Sequence, residues 1–130
     1  MNLAELVDRT SVDTLDHLER QTTVPVVDGL QAQGDLIVIP FSALDTPPHD
    51  NAGRWVPAEG LHLISGTGGR NPHVLVADPD TCRWWPTGTE LAAFRNTAPV
   101  YLLHPEHGGT GIAPGHWVVR RQRVTDLSAD

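Results

Sequence analysis

Gly34-Asp35-Leu36-Ile37-Val38-Ile39-Pro40 decides the fold class. The Gly-Asp pair favours a turn, four branched apolar residues follow without a break, and proline ends the run. Four such residues in succession form a strand. With no polar residue alternating among them, that strand is expected to be central and covered on both faces. Downstream, residues 42–53 carry Pro47-Pro48 and Asp50-Asn51 and read as a polar loop. Further strands are expected at 61–64, 73–77, 83–85, 100–104 and 116–123. Upstream, Val24 to Val27 is a short apolar run interrupted by Pro25. Gly, Pro, Asp and Asn separate these segments at short intervals, as in a small sandwich or barrel. The gaps are too short for helical crossovers, so antiparallel pairing of about six to eight strands is expected.

Residues 2–21 have a different period. Leu3, Leu6 and Val7 share one helical face, and Val12, Leu15 and Leu18 share another after a cap at Ser11. The expected fold is therefore mainly β: a small antiparallel β-sandwich or barrel with two short N-terminal helices. Residues 1–22 form the helical segment and 23–130 the β domain, in one globular unit. The helices are expected to cover an open edge or face of a sheet.

Composition narrows the function. A 130-residue chain with 39% hydrophobic content can bury a core without staples. One cysteine, Cys82, permits no intrachain disulfide, which fits a cytoplasmic protein. The start of the chain has no basic and apolar signal pattern, and no run is long enough to span a membrane. A net charge of −7 disfavours nucleic acid and anionic lipid as partners. All nine basic residues are arginine, which excludes a lysine Schiff base and a P-loop lysine.

The richest chemistry lies in His104-Pro105-Glu106-His107-Gly108-Gly109. His104 ends a strand, Pro105 forces a turn, and two imidazoles with a carboxylate follow within four residues. Neutral imidazole and carboxylate suit zinc, iron, nickel or manganese. A complete site needs ligands from elsewhere, with His73, His62 and His116 as the available histidines and Cys82 as a weaker choice. The expected metal set is His73, His104, His107 and Glu106, with a divalent transition metal as its cofactor. No catalytic residue is assigned, and no cofactor is required by the pattern.

Three other segments carry weaker signals. Ser65-Gly66-Thr67-Gly68-Gly69-Arg70 is glycine-rich, but no helix follows it, so it reads as a hairpin loop that holds Arg70 and His73 over a pocket. In Cys82-Arg83-Trp84-Trp85-Pro86 the thiol reads as half-buried, and the tandem tryptophans point to opposite faces of a strand. In the last strand Trp117 and Val119 share one face, and His116, Val118 and Arg120 the other. Arg70, Trp84, Trp85 and His116 are the expected ligand or partner surface.

These segments together resemble a group of small uncharacterised bacterial proteins from actinobacteria and cyanobacteria. The resemblance rests on Gly34-Asp35 with its apolar strand, on His104-Pro105-Glu106-His107-Gly108, and on the segment Pro114-Gly115-His116-Trp117-Val118-Val119-Arg120-Arg121-Gln122-Arg123. It covers about 90 residues and excludes the N-terminal helices. Where the group carries Thr-Gly-His-x-His, this chain has Thr67-Gly68-Gly69-Arg70-Asn71-Pro72-His73, with one histidine instead of two. The resemblance implies no reaction. Three functions are compatible with these features. The first is a non-enzymatic accessory protein acting through a protein partner, with homo-oligomerisation open. The second is a small cupin-like metalloprotein. The third is a small-molecule binder using the tryptophans and the glycine loop.

Overall fold

The computed structural model describes residues 1–12, 14, 21–64, 72–88 and 91–122. In chain order they form α1 (Leu3–Thr10), β1 (Val26–Val27), β2 (Gln31–Gln33), β3 (Leu36–Pro40), a 3-10 turn (Phe41–Ala43), β4 (Arg54–Trp55) and β5 (Leu61–Ile64). There follow β6 (His73–Val76), β7 (Cys82–Trp85), β8 (Ala92–Asn96), β9 (Val100–His104), β10 (Gly108–Ile112) and β11 (Gly115–Arg121). The strands make two sheets, β1-β10-β9-β6-β5 and β2-β3-β11-β8-β7-β4. Among the described residues neither sheet closes on itself or on the other, so the barrel alternative is overturned. The pairing is antiparallel except where β1 runs parallel to β10, with Val26 opposite Gly111. A parallel pair needs a long connection, and here nearly the whole β domain supplies it.

β3 lies between β2 and β11, and Leu36 to Ile39 are all buried, as the unbroken apolar run requires. Leu36 and Val38 face a core shared by the two sheets. Phe94, Trp117 and Val119 join them from their own sheet, and Leu75, Leu102 and Ile112 from the other. The opposite face of the six-stranded sheet carries Trp85, Ala93 and Val118, packed under Phe41 and Leu44. The tandem tryptophans therefore do point apart: Trp84 packs on the shared core and Trp85 on the outer cluster. The segment after β3, read as a polar loop, supplies part of that cover through Leu44.

α1 starts at Asn2, whose side chain accepts from the Glu5 N–H while Glu5 accepts from the Asn2 N–H. Leu3 and Leu6 pack against Val74, Val76 and Leu103 on the outer face of the five-stranded sheet. Gly109 makes this approach possible, since a Cβ there would stand 2.9 Å from Leu6 Cδ1. At the far end Arg9 ties the helix to the Ala77 carbonyl (2.6 Å) and to Asp78 (3.1 Å). One helix covers the sheet among the described residues. The second expected helix falls largely on 13 and 15–20, outside them. No helix of the described residues is long and apolar enough to cross a membrane. Strands β2, β4, β8 and β10 were not expected, and they raise the count above six to eight.

Candidate functional site: a histidine–aspartate cavity at the seam of the sheets

One end of the molecule gathers polar side chains from both sheets. The six-stranded sheet contributes Gln33 from β2, Asp35 from the β2–β3 turn and Arg121 from the end of β11. The five-stranded sheet contributes His73 at the start of β6, His104 at the end of β9, and Glu106 and His107 from the β9–β10 turn. Asp35, Ile64, His73, His104, Glu106, His107 and Arg121 line a cavity of about 340 Å³. The ring centroids of His73 and His104 are 4.5 Å apart, as are those of His104 and His107. The separated His73 thus joins the histidine turn.

The hydrogen bonds determine which nitrogen of each ring carries a proton. Gln33 is buried, and its Nε2 donates to the carbonyls of Leu102 (2.7 Å) and Gly108 (3.2 Å) in the opposite sheet. Its Oε1 therefore faces His73 Nδ1 at 3.2 Å, so Nδ1–H must be the donor. The other nitrogen, Nε2, lies 3.1 Å from Asp35 Oδ1. With Nδ1 protonated, a neutral His73 turns a lone pair toward a carboxylate oxygen. That contact is attractive only when a proton or another cation occupies it. Burial pulls the His73 pKa down, and the charge and hydrogen bond of Asp35 oppose that pull.

His104 has the opposite tautomer. Its Nδ1 accepts the backbone N–H groups of Glu106 (3.0 Å) and His107 (3.2 Å). Nδ1 is thus occupied, and the neutral ring carries its proton on Nε2. Burial first, and then the neighbouring His73 and His107, push its pKa down to about 4. Those two N–H contacts also shape the turn, which closes where His104 pairs with Gly108 at φ +75°. His107 and Glu106 are exposed at the rim. Gly34, at φ +57°, lies against two of the rings. A Cβ there would stand 3.0 Å from His107 Cδ2 and 3.4 Å from His73 Cε1. Arg121 Nη1 donates to Asp35 Oδ2 at 3.2 Å, holding the carboxylate from the side away from His73. Among the described residues, no three His, Cys, Asp or Glu side chains already close around one point.

The remaining residues singled out from sequence lie elsewhere. His62 is exposed on β5, and His116 contacts Asp50 at 3.7 Å and the Phe41 ring. Cys82 is 1% exposed, and burial pushes its thiol up to about 12, so it holds no thiolate near neutral pH. Trp84 is half-buried. Trp85 is buried and borders a second cavity of about 430 Å³ with Leu44, Pro48, His49 and Pro86. Arg70 lies outside the described residues. Sequence reasoning missed Gln33, Asp35 and Arg121. The available signal was a buried-strand sequence preceded by Gln33 and Asp35, polar residues that would otherwise be expected to face solvent.

A family model described as a domain of unknown function (DUF8820) matches residues 32–122, and the chain belongs to that family. The matched segment begins one residue before Gln33, ends one residue after Arg121, and so contains every residue of the cavity while leaving out α1 and β1. No curated protein and no solved structure matches the chain.

Proposed function

We propose that this chain is a small metal-binding protein on a β-sandwich scaffold, with His73 Nε2 and Asp35 Oδ1 as two ligands of a divalent transition metal. The observation that carries this reading is the 3.1 Å contact between a nitrogen lone pair and a carboxylate oxygen, with Gln33 holding the other ring nitrogen. Two ligands each about 2.0–2.1 Å from a tetrahedral ion stand about 3.3 Å apart, close to this separation. The Gln33 contact matches the outer-shell acceptor that orients a ligating histidine. The exposed His107 ring supplies a third ligand by rotating inward past Gly34, while Glu106 stands at the rim and leaves the fourth position open. His104, whose Nδ1 is occupied, leaves the expected ligand set, and Asp35 takes its place.

Below the lowered pKa of His73 a proton bridges His73 and Asp35 in the metal-free protein, so metal uptake under acid conditions expels it. Elemental analysis of untagged protein should find about one equivalent of zinc, nickel, iron or manganese. Saturation at about 100 times Kd should stabilise the fold by about 2.7 kcal/mol, and calorimetry in two acidic buffers should register the released proton. His73→Ala should lose all three responses. Less than about a tenth of an equivalent in the wild type, with no thermal shift on adding metal, would sink the proposal.

A second reading, action through a protein partner, draws support from Val26 and Val27 (each 43% exposed) and Leu30 (60%) along the edge that β1 forms. Exposed apolar side chains beside a free strand edge suit a strand or apolar segment of another chain. Light scattering of wild type and Val27→Glu tests it. A strict monomer in both, with no change in any captured partner, counts against it.

A further inference from the structure

The cavity exceeds the needs of an ion. Its volume of about 340 Å³ compares with about 30 Å³ for one water, so it has room for a ligand of several heavy atoms beside the metal. Resting on the metal reading above, we propose that the cavity holds a small monovalent carboxylate on the metal, gripped by His104 Nε2–H and the Arg121 guanidinium. His104 lines the cavity between His73 and His107, and its Nδ1 bonds leave Nε2–H as the group it can offer. Among the described residues no acceptor meets that Nε2. Arg121 lines the same space. Among the described residues only its Nη1 is engaged, by Asp35, and a guanidinium carries five N–H donors in a planar fork suited to carboxylate.

Charge sets the ligand class. The divalent ion and Arg121 stand against the carboxylates of Asp35 and Glu106, leaving one formal positive charge for a monoanion to balance. Glu106 at the rim disfavours ligands of higher negative charge. With His73, Asp35 and His107 on the metal, one coordination position stays open for a carboxylate oxygen, and the second oxygen reaches the donors.

The test uses the cobalt(II)-loaded full chain, whose visible spectrum reports the coordination sphere, with acetate as the probe. Wild type should show a saturable spectral change. His104→Phe should keep its cobalt affinity within about threefold yet bind acetate at least about tenfold more weakly, the loss expected for one hydrogen bond to a charged group. Arg121→Gln, at a half-exposed site, should weaken acetate similarly and decides the matter if His104→Phe does not fold. No cobalt uptake by wild type overturns the metal reading itself. Cobalt bound with no acetate response, or with equal acetate affinity in wild type and Arg121→Gln, overturns the carboxylate alone. A roughly hundredfold loss of cobalt affinity in folded His104→Phe would make His104 a ligand and overturn its role as donor.

Discussion

Two histidine–aspartate pairs lie at different places on this scaffold. His73 meets Asp35 at 3.1 Å with its side chain 3% exposed, and His116 meets Asp50 at 3.7 Å with its side chain 42% exposed. Each carboxylate also receives an arginine, Arg121 for Asp35 and Arg95 for Asp50, both at 3.2 Å. The residue types and the charges match. The difference lies in the far side of the ring. Gln33 fixes His73 Nδ1 as a donor and thereby dictates what Nε2 can face. His116 leans on Phe41 at the surface, and among the described residues no acceptor fixes its other ring nitrogen. A histidine–aspartate contact becomes a site when a third residue removes the freedom of the ring.

Substitutions should separate the two pairs by size of effect. Gln33→Ala should cost most, about 4 kcal/mol in urea unfolding. It strips the Leu102 and Gly108 carbonyls of a shared donor and strands the His73 N–H, with each such loss worth about 1–3 kcal/mol. Metal uptake should vanish with it, and a loss below about 1 kcal/mol would show that Gln33 does not brace the site.

Acid comes next. The folded pKa of His104 lies near 4, below its ordinary 6.5, so the unfolded chain takes up the proton first as pH falls. Its contribution is therefore complete above about pH 6.5 and is lost as pH falls toward 4, by on the order of 3 kcal/mol. The downward shift of His73 acts with the same sign. Urea midpoints at about pH 7 and about pH 4.5 would measure the slope, and His104→Asn, which keeps an acceptor for the turn, should flatten it.

Gly34→Ala should cost about 1–2 kcal/mol, because φ of +57° disfavours a Cβ there. It should also lower metal affinity by pushing the His107 ring outward. The smallest change belongs to the other pair: His116→Ala and Asp50→Ala should each stay within about 0.5 kcal/mol, as half-exposed ion pairs do. A loss at His116 equal to that at Gln33 would erase the distinction between the pairs.

The local pattern carried much of the fold. Four apolar residues in a row announced β3, and period-2 alternation assigned the two faces of β11 and of the tandem tryptophans. β10 was hidden because Gly108-Gly109-Thr110-Gly111 has low strand propensity, and its glycines serve neighbours: Gly109 admits Leu6 of α1. β2 and β4 are too short for any period to register. Half of the cavity was legible, since His104, Glu106 and His107 are adjacent in sequence and His73 was the natural complement. Gln33, Asp35 and Arg121 were not. Their roles arise only from the docking of one sheet on the other, which no local spacing encodes.

That docking has a consequence for synthesis. Gln33 must wait for its partners Leu102 and Gly108, made 69 and 75 residues later, and Asp35 for Arg121, made 86 residues later. At translation rates of about 5–20 residues per second, the delay before Gly108 appears is roughly 4–15 s. Through that interval the β2–β3 hairpin can form, but β3 lacks its neighbour β11, and the four apolar residues from Leu36 to Ile39 stay uncovered. A nascent chain of this protein therefore carries an open, sticky strand edge until its last strand emerges. Ribosome stalling before residue 115 should turn the truncated product into a client for chaperones.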